Sequence, residues 1–243
     1  MLRVVKSSGF AKELLDFQGH LRPYSTWMGI GTNGKTYPDE MVCRYIEWGA
    51  EYSGDFTLVI ADDLQIYNQI PFNGHQGLEE LRERFRSVGR QRKTALEGWV
   101  RKNKIKNVKI WRWQEAFEAL KTEFPSVDFD SFEQYFISGE KISDPGFHSR
   151  FIGIVETQVP GFCKKILMEG RDEKLGKFTA SLYARQEVFL TFTLTLTKKA
   201  SIKIGHAGEK IYDEFSEDIM GGKYGERLAI DGKDNFFGGV YLG

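Results

Sequence analysis

The stretch "WMGIGTNGKTYPDE", Trp27–Glu40, decides the fold, because it supports more than one reading. Gly29-Ile30-Gly31-Thr32-Asn33-Gly34 fits the dinucleotide pattern G-x-G-x-x-G, and Gly29 through Thr36 fits the phosphate-loop pattern G-x-x-x-x-G-K-[ST]. A phosphate loop follows a buried strand and opens directly into a helix, so that backbone N–H groups surround the phosphates. Pro38 lies two residues after Thr36, and proline is tolerated only in a helix's first turn. The helix is therefore expected to begin near Pro38-Asp39, too late to present Lys35 in the usual way. A dinucleotide site would need an acidic ribose partner at the end of the next strand, where Asp62 or Asp63 stands at a long spacing. The run "LVIADD" also resembles an apolar strand ending in a magnesium-binding aspartate. A third reading is a Gly/Asn/Thr turn that merely links strand to helix.

Outward from the loop, apolar runs alternate with amphipathic stretches, as in β-α units building a mostly parallel sheet. Strands are expected at "STWMGIG" (Ser25–Gly31), "DFTLVIAD" (Asp55–Asp62), "NVKIWRW" (Asn107–Trp113) and "ASIKIGH" (Ala200–His206). Met41, Val42, Tyr45, Ile46 and Trp48 recur at a helical period between the first two. A long helical pattern runs from about Gly77 to Asn103, with Gly89 as a candidate kink. Its apolar stripe is Leu81, Phe85, Val88, Leu96 and Trp99. Beside it Arg82, Arg86, Arg90, Lys93, Arg101 and Lys104 form a basic stripe. The second half reads as more helical, over Phe147–Gly170 and Lys174–Leu194, with a short helix at Glu209–Met220. The C-terminal "LAIDGKDNFFGGVYLG" suggests a final hairpin. No Pro-, Gly- or Ser-rich linker divides the chain, so a single domain over residues 1–243 is expected.

Composition removes several function classes. The 34 basic and 34 acidic residues cancel, so only a local cluster argues for a polyanionic partner. Between Leu78 and Lys109 arginine and lysine far outnumber glutamate, which points to phosphate contacts and a salt-dependent affinity. Cys43 and Cys163 match no metal-ligand spacing, and both read as buried small hydrophobes. With no apolar core for a signal peptide and no run of membrane-spanning length, a soluble cytoplasmic protein is expected. Trp111, Trp113 and Phe117 read as core at a strand-to-helix junction.

"SLYARQEVFL" places Tyr183 and Glu187 four residues apart on one helical face. In order, the glycine-led loop, "DDLQIYNQIPFNG" (Asp62–Gly74), the arginine-rich helix, "VKIWRW" and Tyr183-x-x-x-Glu187 make up a series. With it the sequence resembles the tRNA-dependent cyclodipeptide synthases from about Trp27 to the C-terminus. The resemblance implies a Rossmann-like α/β fold, a mostly parallel sheet flanked by helices, similar to the class I aminoacyl-tRNA synthetase catalytic domain. It implies an aminoacyltransferase with two aminoacyl-tRNAs as substrates and a diketopiperazine as product, needing no metal, ATP or nicotinamide. Glu187 and Tyr183 would bind the first amino group, with Glu187 assisting proton transfer.

By the same resemblance Gly29, Gly31, Asn33, Gly34, Asn68 and His206 would bind substrate, and the basic stripe would bind tRNA. Two positions depart from the family pattern. Gly31 stands where its serine nucleophile belongs and Gly34 where its asparagine belongs. Three explanations stay open: Thr32 is the nucleophile, the aminoacyl group passes directly between two tRNAs, or the protein binds aminoacyl-tRNA without synthesis. Near the end, Gly205 precedes His206 where the family commonly has tyrosine. His206 then reads either as a site residue or as a strand-end histidine bonded to backbone. A nucleotide-dependent enzyme using Gly29–Thr36 is the remaining rival.

Overall fold

The computed structural model describes residues 2, 4–9, 25–32, 34, 37–69, 77–123, 160–161, 163–164, 200–206 and 236–242. In chain order these form β1 (Val4–Gly9), β2 (Ser25–Ile30), α1 (Asp39–Tyr52), β3 (Asp55–Ile60), a 3-10 helix (Asp63–Gln69), α2 (Leu78–Lys102), β4 (Val108–Arg112), α3 (Trp113–Glu123), β5 (Ala200–His206) and β6 (Phe236–Leu242). The strands make one six-stranded sheet in the order β1-β6-β5-β2-β3-β4. All neighbours are parallel except β1, which runs antiparallel to β6. From β4 to β6 the order is that of a Rossmann sheet, reversing between β2 and β5.

β2 and β3 are the central strands, and almost every residue of "STWMGI" and "DFTLVI" is buried. Continuous apolar runs of this kind belong to parallel strands covered on both faces. α1 packs on them through Val42, Tyr45, Ile46, Trp48 and Gly49, while Arg44, Glu47 and Glu51 face outward. It starts at Asp39 behind Pro38, as the proline requires, with Asp39 and Glu40 in the first turn, where acids complement the helix dipole. At Gly49 a Cβ would lie 2.5 Å from the Phe56 ring, so glycine is what lets helix and strand meet.

α2 runs unbroken through Gly89 for 25 residues. Its buried positions are Gly89, Arg92 and Leu96, whereas Val88 is 37% exposed. The expected apolar stripe is thus shifted by one residue, and an arginine lies inside it. At its C-terminus Lys104 N–H donates to Arg101 O at 3.1 Å and Ile105 N–H to Val100 O at 3.1 Å, a Schellman closure with Lys104 in the left-handed region at φ 54°.

Two further expectations change. β6 is held between β1 and β5, not in a local hairpin, because its apolar run fills an interior position of the sheet. Cys43 and Cys163 are half-buried and unbridged. Trp113 is buried and stacks on Phe117 at 5.9 Å, at the junction where core was expected. Among the described residues no helix is long and apolar enough to cross a membrane. The expected helices at Phe147–Gly170, Lys174–Leu194 and Glu209–Met220 lie wholly or mostly outside the described residues.

Candidate active site

Where the strand order of an open parallel sheet reverses, the carboxyl ends of two neighbouring strands part and leave a crevice. Pairing between β2 and β5 runs from Ser25↔Ser201 to Trp27↔Lys203 and stops, although the strands continue to Ile30 and His206. β2 and β3 stay paired to Ile30↔Ile60. Gly29, Gly31 and Thr32 therefore stand at the carboxyl end of β2 and His206 at that of β5, on either side of the point where the strand order reverses. Asn68 lies in the 3-10 helix that follows β3. Asn33, Tyr183 and Glu187 lie outside the described residues.

The loop leaving β2 is held from below by Arg92. Its Nη1 donates to Gly31 O at 2.6 Å, its Nη2 to Tyr37 O, and its Nε to Asp39 Oδ1 at 2.8 Å. The side chain is only 7% exposed, so these three acceptors are its compensation for burial. Thr32 is buried as well, and among the described residues no base hydrogen-bonds its hydroxyl. Gly31 is half-buried, and a Cβ there would make ordinary contact with the Gln65 amide at 3.5 Å; Gly34 is exposed with open space around it. α1 opens only at Asp39, so Lys35 precedes the helix and does not sit in its first turn as a phosphate loop requires.

The two aspartates after β3 are committed to arginines. Arg112 Nε donates to Asp62 Oδ2 at 2.6 Å, and Trp113 N–H and Asp63 N–H donate to Asp62 Oδ1 at 3.3 and 3.0 Å. Arg86 forms a two-pronged pair with Asp63, Nε to Oδ1 at 2.6 Å and Nη2 to Oδ2 at 3.0 Å. These pairs tie α2 and β4 to the floor of the crevice.

Burial pushes the fully enclosed Asp62 carboxyl up, and the Arg112 hydrogen bond and charge pull it only part of the way back. A carboxyl raised in the folded state stabilises the fold below its unfolded value, about 3.9, and loses that contribution as pH rises through its folded one. The melting temperature of wild type minus that of Asp62→Asn should therefore fall as pH rises above about 4. A gap that widens over that range would show the ion pair outweighing burial.

No family model matches this chain, and no curated protein sequence matches it. Solved structures do. A cyclo(L-leucyl-L-phenylalanyl) synthase superposes with a TM-score of 0.57 at 13% identity, covering 100% of this chain and 97% of the other. A Mycobacterium tuberculosis protein, described as relating cyclodipeptide synthetases to type I tRNA synthetases, superposes with 0.55 at 8% identity over 99% and 95%. The cyclodipeptide synthase of Staphylococcus haemolyticus gives 0.52 at 14% identity over 98% and 98%. The fold is that of the cyclodipeptide synthases.

Within this cyclodipeptide-synthase fold, α2 divides its cations by partner. Arg82 pairs with Glu79 at 3.1 Å, Arg90 with Glu83, and Lys93 with Glu115 and, at 3.7 Å, Glu97. Such surface pairs contribute about 0–1 kcal/mol and exchange readily for phosphate. Arg86 is less available because of Asp63, and Arg92 is buried beneath the loop. Arg101 and Lys104 are exposed and, like Arg84, form no ion pair among the described residues.

The sequence reading missed two assemblies, Asp62 with Gly89 and Arg112, and Arg92 with Gly31, Tyr37 and Asp39. Its available signals were an Asp-Asp step ending an apolar strand and a glycine three residues before an arginine on one helical face.

Proposed function

We propose that this protein is a tRNA-dependent aminoacyltransferase that makes a cyclic dipeptide from two aminoacyl-tRNAs. The observation that carries the reading is the clasped glycine loop at the parted ends of β2 and β5, in a fold shared with cyclodipeptide synthases. A loop floor without side chains at Gly29 and Gly31 lets an ester approach the backbone closely. Glu187 and Tyr183 hold the first amino group, and Glu187 takes its proton as the amine becomes a nucleophile.

The chemistry balances without an external reagent. A hydroxyl or amine adds to the ester carbonyl, the bond to the ribose oxygen breaks, and that oxygen leaves with the nucleophile's proton. With Thr32 as nucleophile the chain carries an aminoacyl and then a dipeptidyl ester, and cyclisation frees the hydroxyl. With direct transfer the dipeptide forms on tRNA. A noncatalytic aminoacyl-tRNA binder is the second reading, favoured by Gly31 at the position of the family's serine nucleophile.

Expression in a bacterial host with mass spectrometry of the medium tests the proposal. Wild type should yield a new diketopiperazine, and Glu187→Ala should lower it by about 10²-fold or more. Thr32→Ala should remove it on the covalent route and spare it on the direct one. Gly31→Ser fits beside Gln65 and should retain or raise the yield. Folded wild type and Gly31→Ser that both give no product would shift weight to the binder, to a substrate the host lacks, or to the phosphate-loop enzyme. Loss of product in Lys35→Ala, together with nucleotide binding by wild type, would return the phosphate loop to favour.

A further inference from the structure

Gln65 has no assigned role, yet it lies against the most exceptional position of the loop. It sits in the 3-10 helix after β3, its backbone N–H bonded to Asp62 O at 3.2 Å, so Asp62, itself pinned by Arg112, sets where the residue stands. From a Cβ built on Gly31, Gln65 Nε2 is 3.5 Å away, Cδ 3.6 Å and Oε1 3.7 Å. The amide thus lies side-on over the side-chain position that glycine leaves empty. It is half-buried and has no hydrogen-bond partner among the described residues. A half-buried amide beside the carboxyl end of β2, without a partner among the described residues, is a donor poised for a ligand.

We infer that Gln65 is a catalytic residue whose Nε2 donates to the carbonyl oxygen of the bound aminoacyl ester and stabilises the oxyanion formed when that carbonyl is attacked. The inference rests on the aminoacyl-transfer reading and holds for either nucleophile. As the nucleophile adds, the carbonyl π pair moves onto oxygen, where the Gln65 N–H meets it. When the pair returns, the ribose oxygen departs with the nucleophile's proton. Gln65 makes and breaks no covalent bond. Its contribution is a fixed dipole aimed at charge that exists only in the transition state.

The test uses the purified full chain and tRNAs charged with the two amino acids found in the wild-type product. Gln65→Leu should lower kcat by about 10²-fold with little change in KM and an unchanged melting temperature. Gln65→Glu faces the oxyanion with a carboxylate, so its activity relative to wild type at the same pH should be lowest at pH 8 and rise as pH falls toward 5, where more of the acid is protonated and donates. A packing role alone would not produce that profile. If wild type makes product and Gln65→Leu turns over within about twofold of it, the inference is overturned and the aminoacyl-transfer reading survives. If Gln65→Glu keeps the wild-type pH profile, the inference is likewise overturned. A folded wild type that makes no product overturns the aminoacyl-transfer reading and this inference together.

Discussion

Gly89→Ala is expected to melt about 10 °C or more below wild type, a large effect for one methyl group in a helix. The reason is local. A Cβ at Gly89 would fall 2.2 Å from Asp62 Oδ2 and 2.7 Å from both Asp62 Cβ and Cγ, well inside any real contact. Asp62 cannot give way, because the same Oδ2 accepts from Arg112 and its Oδ1 accepts from two backbone N–H groups. Overpacking alone costs about 1–3 kcal/mol. Breaking a buried pair costs about 3–5 kcal/mol. Against a total stability of about 5–15 kcal/mol, a combined loss near 4 kcal/mol or more is severe. Gly98→Ala on the same helix is the control, since nothing lies within 4 Å of its Cβ. That change should stabilise by about 0.5–1 kcal/mol through backbone entropy. Thermal melts of the two variants decide the matter: equal melting temperatures would mean that Asp62 moves aside freely.

The second large effect is on product formation. Arg92→Leu should reduce it by about 10²-fold or more, the scale expected when a positioned group shifts by roughly an ångström. It should also cost about 1–3 kcal/mol of stability for each of the two carbonyls that lose a charged donor, whereas the exposed Asp39 rehydrates. Arg92→Lys should recover little. An ammonium is a point charge, whereas Gly31 O, Tyr37 O and Asp39 Oδ1 are served by three different nitrogens of one planar fork. Arg84→Glu, on an exposed side chain of the same helix without an ion pair among the described residues, should change stability by less than about 0.5 kcal/mol. Full product from folded Arg92→Leu would show that the loop holds its shape without the clasp.

The contrast between Arg92 and its neighbours shows what the sequence could and could not yield. β2 and β3 were legible because predominantly apolar runs are what parallel strands covered on both faces need, and β4 and β5 because short runs with Val, Ile and Trp alternate with polar residues. The start of α1 was legible because Pro38 constrains it locally, and Gly77 and Asn103 bracketed α2 for similar reasons. β1 was not. "VVKSSG" is short and polar, and it becomes a strand only by pairing with Ser7↔Val240 and its neighbours at the other end of the chain. Periodicity put Val88 in the core and treated Arg92 as surface, since hydropathy cannot see three acceptors contributed 53 to 61 residues away. Arg86 was obscured in the same way: in the basic stripe it reads as solvent-facing, and only the fold supplies Asp63. Of the expected site, the loop and the end of β5 were legible, and the sheet order sets them at the carboxyl ends of two neighbouring strands.

The clasp beneath the loop has a bearing on how such a site can change over time. Two of the three groups that Arg92 grips are main-chain carbonyls, which every amino acid carries. Replacing side chains along the loop therefore leaves that grip in place, provided the backbone path is kept. A loop secured in this manner is free to lose one reactive group and acquire another without first losing its form. An arginine buried under it, rather than any residue within it, is the part that drift cannot easily touch.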